Sequence, residues 1–163
     1  MKVVVADAGP LIIFGRTCGL ALLKSVVAEI LVPPTVAREC LADAGKPGAL
    51  AIAAAMEQGL LTCLAESDVA HAPKDLLLLD ASEMEAIATA KARRCVVLLD
   101  DAVGRSVAKQ MGVQTTGSLG ILLRAKELGV LDSIAPIVKA WRSAGYFLGD
   151  QVVGDILRRA GES

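Results

Sequence analysis

The feature that most constrains this chain is its opening run, Val3-Val4-Val5-Ala6, which ends on Asp7 and turns through Ala8-Gly9-Pro10. A short, unbroken run of β-branched residues reads as a strand buried on both faces. A second such run, Cys95-Val96-Val97-Leu98-Leu99, also ends on carboxylates, Asp100 and Asp101. Helix-forming sequence follows both. Strands that alternate with helices predict βα units and a mostly parallel sheet, hence an α/β fold. In open sheets of this type, ligand chemistry sits beyond the carboxyl ends of the strands. Asp7, Asp100 and Asp101 therefore hold addresses where a reaction could occur. Each also has a plainer use, because Asp is a preferred helix N-cap.

Between and after these runs the punctuation is regular. Apolar residues at helical spacing from Pro10 to about Val27 predict two short helices divided near Gly15 and Gly19. Glu29-Ile30-Leu31-Val32 predicts a strand, stopped by Pro33-Pro34, with a helix from Pro34 or Thr35 towards Ala44 that carries Glu39. Ala49 to Gln58 predicts a helix and Leu60–Leu64 a strand, followed by a loop over residues 65–73. The run Leu76–Leu79 fits a strand or a helix entry. Asp80 with Glu83, and Ser82 with Glu85, both fit the capping box that opens a helix running to about Arg94. Further helices are expected over residues 103–111, 119–128, 134–143 and 150–159, with a last short strand at 113–115. A single domain spanning 1–163 is expected, since no linker, repeat or second composition regime is visible.

Composition narrows the function classes. Hydrophobic residues make up 54% but aromatics only 2%, so the core is built from Ala, Val, Leu and Ile. No apolar run approaches the roughly 20 residues that span a bilayer, and Asp7 interrupts the opening stretch before a signal-peptide core could form. A cytoplasmic protein without membrane association is expected. Seventeen Lys and Arg against eighteen Asp and Glu leave a net charge of −1, which is not the footprint of a bulk nucleic-acid binder. A basic rim around an acidic pocket is compatible with that total. Cys18, Cys40, Cys63 and Cys95 form no C-x-x-C pair and lie in apolar segments, so buried reduced thiols are expected. The lone His71 is expected at the surface.

The chemistry must then come from oxygen ligands. If the Val3 and Val96 strands are parallel neighbours, Asp7 and Asp100/Asp101 gather at one sheet edge. Glu83 opens the helix before the second of these strands, and Glu39 follows the Glu29–Val32 strand. Gathered carboxylates repel one another, and a divalent cation relieves the repulsion. Oxygen donors without His or Cys select Mg²⁺ or Mn²⁺, ions suited to phosphodiester hydrolysis. Taken singly, Glu39 reads as a helix-face charge, Glu83 as a capping-box residue, and one of Asp100 and Asp101 as a cap.

The order of these acids resembles the PIN-domain family, in which an Asp after the first strand, a Glu in an early helix, an acid opening a middle helix and an Asp after the next strand recur. Asp7 in Val-Ala-Asp-Ala-Gly-Pro-Leu-Ile, Glu39 in Val-Ala-Arg-Glu-Cys-Leu, Glu83 in Leu-Asp-Ala-Ser-Glu-Met-Glu-Ala and Asp101 in Val-Leu-Leu-Asp-Asp-Ala-Val-Gly-Arg match that order. The Asp-Asp-x-x-x-Arg stretch and Gly117-Ser118-Leu119-Gly120 resemble one prokaryotic branch of uncharacterised PIN-like proteins. That branch usually carries Gly-Glu where this chain has Ser82-Glu83. Ser is a good N-cap, so the helix start should survive, and the carboxylate is kept. The resemblance implies a three-layer α/β/α sandwich and a metal-dependent ribonuclease site. It also implies RNA as substrate, a possible role as the toxin of a toxin–antitoxin pair with an antitoxin protein as partner, and a homodimer.

On this reading Asp7, Glu39, Glu83 and Asp101 are the catalytic acids, with Asp7, Glu83, Asp100 and Asp101 as metal ligands. Glu85 competes with Glu83, but two residues along a helix is about 200° of rotation, so only one faces the ion. Arg105, Thr116 and Ser118 are candidate substrate contacts, although Thr116 and Ser118 also suit a helix cap. Arg16, Arg38, Arg93, Arg94, Arg124 and Lys126 are candidates that solvated helix faces would equally explain. The alternative is a catalytically weak PIN-like module that binds nucleic acid or protein. A dehalogenase-type phosphatase fits poorly because residue 9 is Gly where a second Asp is needed. A receiver domain fits poorly because the acidic pair follows a late strand rather than the first.

Overall fold

The computed structural model describes residues 3–71 and 79–162. Five strands form one all-parallel sheet: β1 (Val3–Ala6), β2 (Glu29–Val32), β3 (Thr62–Cys63), β4 (Val96–Leu98) and β5 (Thr115–Thr116). Their order across the sheet is β3-β2-β1-β4-β5. The chain thus starts at the centre, fills one side and returns to fill the other. Nine helices among the described residues flank the sheet in a three-layer α/β/α sandwich: α1 (Ala8–Arg16), α2 (Leu20–Val26), α3 (Pro34–Leu41), α4 (Pro47–Glu57), α5 (Ala81–Arg93), α6 (Ala102–Gln110), α7 (Ser118–Glu127), α8 (Ala135–Ser143) and α9 (Asp150–Arg159). Most element ends fall within a few residues of the sequence expectation. The run 76–78 lies outside the described residues.

The valine runs behave as buried parallel strands should. Val4, Val5, Val97 and Leu98 have no exposed surface. Prolines start α3 and α4 at the first helical position, where a missing amide hydrogen costs nothing. Glycine in the left-handed region stops several helices, as at Gly112 (φ 76°) after α6 and Gly129 (φ 73°) after α7. Three of the four aromatics are stacked edge to face: Phe14 against Trp141 at 5.3 Å, and Trp141 against Tyr146 at 6.2 Å. Trp141 also donates its indole hydrogen to Thr17 Oγ1 at 2.7 Å, tying α8 to the end of α1.

One expectation is corrected. The four cysteines are free, but only Cys40 is buried; Cys18 and Cys95 are half-buried and Cys63 is exposed. Cys63 sits on β3, an edge strand of two residues, both of them exposed. His71 is exposed, as expected.

Candidate active site

The register joins the two valine strands directly. β1 pairs with β4 with Ala6 opposite Leu98, and the amide of Asp7 extends the ladder by donating to the Leu98 carbonyl at 3.0 Å. The carboxyl ends of β1 and β4 therefore coincide. This is also where the order of the chain through the sheet reverses, the crevice where open α/β sheets bind ligands.

Asp7 lies at the bottom of this crevice, 8% exposed. It occupies the N-cap position of α1 yet makes no side-chain cap bond, so the plainer reading of this residue is not realised. Among the described residues its Oδ1 is the one buried side-chain polar atom without a hydrogen-bond partner. An orphaned carboxylate oxygen at this depth is costly. Burial raises its pKa to about 7, the Ala8 amide opposes the rise, and the nearby charges of Glu83, Asp80 and Glu39 add to it.

Glu83 comes from the first turn of α5. The capping box forms between Asp80 and Glu83: Glu83 N donates to Asp80 Oδ1 at 2.9 Å, and Asp80 N donates to Glu83 Oε2 at 3.2 Å. The other oxygen, Oε1, lies 3.3 Å from the point a Cβ on Gly104 would occupy. That same Cβ would come within 2.9 Å of Leu99, so a glycine is what lets α6 approach this closely. The Glu83 pKa is raised by burial and by the charges of Asp80, Asp101 and Glu39, against the Asp80 amide. Glu85 points elsewhere. It accepts from Thr35 N at 3.0 Å and Thr35 Oγ1 at 2.8 Å, holding the first turn of α3. Glu85 is thus committed to α3.

Glu39 and Asp101 stand at the exposed rim. Glu39 accepts a hydrogen bond from the buried hydroxyl of Ser82, which also contacts Asp80 Oδ1 at 2.8 Å. Asp101 caps α6 by accepting from Gly104 N at 2.8 Å. Asp100 is engaged differently. Its carboxylate accepts from Ser118 N at 2.6 Å, from Ser118 Oγ at 2.5 Å and from the Tyr146 hydroxyl. Ser118 is fully buried and its hydroxyl is committed to Asp100. Thr116 Oγ1 is 3.1 Å from a Cβ position on Gly120, so it faces α7.

Arg105 Nη1 and Asp100 Oδ1 both lie 3.0 Å from a Cβ position on Gly117, which sets the guanidinium beside the acidic pocket. Arg105, Ser106, Lys109 and residues 112–115 line an open groove of about 560 Å³ between α6 and β5. The other basic candidates are mostly occupied: Arg38 pairs with Glu66, Arg124 with Glu127, and Lys126 with Glu162. Arg93 donates to the Asp68 carbonyl at 3.1 Å.

The charges of Glu83, Asp80 and Glu39 act on Asp7, those of Asp80, Asp101 and Glu39 act on Glu83, and Asp100 reaches the same end of the sheet through Tyr146. The structure adds three residues that sequence reasoning did not select. Asp80 was visible only as a cap, Ser82 as an alternative cap. Tyr146 carried no sequence signal, because its relation to Asp100 exists only in the folded chain. Among the described residues, no three His, Cys, Asp or Glu side chains are drawn together tightly enough to form a finished metal cage. The all-oxygen donor set and the orphaned Asp7 Oδ1 nonetheless fit a hard divalent cation.

The fold is an α/β/α sandwich with acids beyond the carboxyl ends of two central parallel strands. The chain belongs to the PIN-domain family, whose model matches residues 3–162. Among solved structures it is similar to a PilT N-terminus domain protein, SSO1118, from the hyperthermophilic archaeon Sulfolobus solfataricus P2. That likeness has a TM-score of 0.53 and 20% identity over 75% of this chain and 91% of the other. A domain of a functionally unknown protein from Methanocaldococcus jannaschii DSM 2661 is also similar, with a TM-score of 0.47 and 20% identity over 71% of this chain and 89% of that one. No curated protein matches the chain. No helix among the described residues is long and apolar enough to cross a membrane.

Proposed function

We propose that this chain is a divalent-metal-dependent endoribonuclease that hydrolyses RNA phosphodiester bonds. The observation that carries the reading is the buried, unpartnered Oδ1 of Asp7 amid Glu83, Asp80 and Glu39. A cation supplies what that oxygen lacks. Asp7, Glu83 and Asp101 would hold the ion, with Glu39 and Asp100 at its margins. Mg²⁺ or Mn²⁺, when bound, supplies a hydroxide nucleophile and offsets charge on the phosphoryl centre. The protein's own part is to fix the acids: α5 presents Glu83 through its capping box, Ser82 steadies Glu39, and Ser118 with Tyr146 steadies Asp100. Arg105 contacts substrate phosphate from beside Asp100, as a planar guanidinium suits. Thr116 and Ser118 act behind it, Ser118 through Asp100.

The same reading extends to a cytoplasmic toxin of a toxin–antitoxin pair that works as a homodimer and is held in check by an antitoxin protein. A second reading, a PIN-like module that binds nucleic acid or protein with little turnover, is favoured by one observation. Asp100 and Glu39 are already engaged by hydroxyl groups rather than open. Cleavage of a labelled RNA by the purified chain decides between them. The nuclease requires Mg²⁺ or Mn²⁺, stops with chelator, and loses at least a hundredfold in Asp7→Asn and Asp101→Asn. Equal cleavage by these variants, or none by the wild type with either ion, would reject it.

A further inference from the structure

Among the described residues, six helices end on the same backbone turn. After α5 the Arg94 amide donates to the Lys91 carbonyl at 3.2 Å and the Cys95 amide donates to the Ala90 carbonyl at 3.0 Å. The same pair of bonds closes α4, α6, α7, α8 and α9. This turn needs one residue in the left-handed region, where glycine escapes the Cβ clash that other residues suffer. The other five helices place Gly59, Gly112, Gly129, Gly145 and Gly161 there. α5 places Arg94, at φ 53°, the one non-glycine at positive φ among the described residues. Attraction of a cation to the helix end does not explain the choice, because Lys91 and Arg93 already fill that role from ordinary helical positions. An arginine kept in a strained position, where the fold elsewhere uses glycine, points to work for its side chain.

That side chain lines a cavity of about 450 Å³ at the amino ends of the central strands, with Arg93, Cys95, Glu29 and the apolar Val3, Leu31 and Val96. Glu29 lies opposite Val3 and Val96 lies opposite Val4, so the cavity spans three neighbouring strands. Asp7 follows the other end of β1, which sets this cavity apart from the acidic crevice. Burial raises the Cys95 thiol pKa and the Arg93 charge opposes the rise, so that guanidinium stands near the sulfur. Arg94 and Glu29 form no ion pair among the described residues. Two planar guanidinium forks suit the oxygens of a phosphate monoester, which carries about two negative charges at neutral pH. Glu29, on the far side of β1 from them, can accept from hydroxyl groups as acids do from ribose. Val3, Leu31 and Val96 offer aliphatic surface to a base. We propose that this cavity is a second binding site, for a nucleoside monophosphate, with Arg94 and Arg93 on the phosphate and Glu29 on the ribose. The proposal does not depend on the ribonuclease reading.

Alkylation of the full chain by iodoacetamide, followed cysteine by cysteine by mass spectrometry, tests it. Adenosine monophosphate should slow modification of Cys95 about tenfold, since a bound ligand covers most of its cavity wall, and should leave the exposed Cys63 unchanged. Adenosine at the same concentration should give no protection, because the arginines then have no phosphate to hold. Arg94→Gly should require about tenfold more nucleotide for the same protection. The same variant should melt about 2–4 °C higher than wild type, because glycine relieves the strained turn. Unprotected Cys95 in the wild type, equal protection by adenosine, or an unchanged nucleotide requirement in Arg94→Gly overturns the proposal. So does a lower melting temperature in Arg94→Gly, which would make the arginine an anchor of the fold rather than a ligand contact. Neither readout involves cleavage, so the acidic site can fail as a nuclease while this cavity still binds, and the reverse.

Discussion

Tyr146 donates its phenolic hydrogen to Asp100 across 46 positions of sequence, so the loop after α8 buttresses an acid that follows β4. The bond joins two parts of the chain that have no local reason to meet. Burial raises the Tyr146 pKa, with the Asp100 charge and hydrogen bond adding to the rise, so the phenol stays protonated and remains a donor. Removal of that hydroxyl in Tyr146→Phe should lower RNA cleavage and Mn²⁺ affinity by about tenfold or more, as loss of an outer hydrogen bond to a metal-site acid does. Folding stability should fall by about 1–3 kcal/mol. Isothermal titration with Mn²⁺ and urea unfolding measure the two effects separately.

The Asp7 carboxyl titrates near 7 in the fold because burial disfavours its charge, and near 3.8 when exposed in the unfolded chain. Between those values the folded protein holds a proton that the unfolded chain has released. Its stabilising share in the metal-free protein is thus complete below pH 3.8, shrinks as pH rises, and is lost above about 7. The upper bound is on the order of 4 kcal/mol. In chelator, Asp7→Asn should therefore gain stability over wild type between pH 5 and 8, read from urea midpoints. Mn²⁺ affinity of the wild type should rise over the same interval, because the ion takes the ionised form. A constant stability difference across that range would contradict the assignment.

Glu83 and Glu85 offer a test of which face of α5 carries the proposed site. Glu85→Gln weakens the hold on Thr35 and should cost about 1 kcal/mol of stability while leaving metal-stimulated cleavage within a few-fold. Glu83→Gln should remove cleavage by about a hundredfold or more, since a carboxylate ligand becomes a neutral amide. Parallel melting and cleavage measurements on the two variants distinguish them. The reverse pattern would move the site to the α3 side of α5.

Glu162 anchors the end of the chain. It accepts from Lys126 Nζ at 2.6 Å, Ser133 Oγ at 2.7 Å, and the amides of Ile134 at 2.7 Å and Ala135 at 2.8 Å. Burial opposes the charge, but the Lys126 ammonium and these amides outweigh it and hold the pKa at about 2. The contribution is present above the ordinary value of 4.5 and is lost as pH falls towards 2. Glu162→Ala should cost about 2 kcal/mol at neutral pH by freeing the start of α8, and the deficit should narrow on acidification. Thermal melting at pH 7 and pH 3 reads both.

Much of this was legible in the sequence. The α/β class, the parallel sheet, nearly every helix and the family resemblance follow from Val runs, prolines, glycines and the order of four acids. Those signals are local, or they depend on order alone. Glu83 could be preferred to Glu85 only by choice, since one helix turn offers both. The cap on Asp101 and the network on Asp100 were likewise interchangeable, because adjacent Asp residues give the same local pattern. Cys63 was misjudged because an apolar run does not say that its strand will be two residues long and at the sheet edge.

By itself, the sequence determined that Asp7 and the Asp100-Asp101 pair each end a buried strand, because β-branched runs and their stops are properties of the chain within a few residues. Only the tertiary structure decided that β1 lies against β4, that Asp7 is left with an oxygen no other group satisfies, and that Tyr146 closes on Asp100 while Phe147 stays in water. The reason is physical. Local propensity fixes where an acid sits on its own element, whereas its burial, its charge neighbours and its hydrogen-bond donors come from segments that are distant until the sheet assembles.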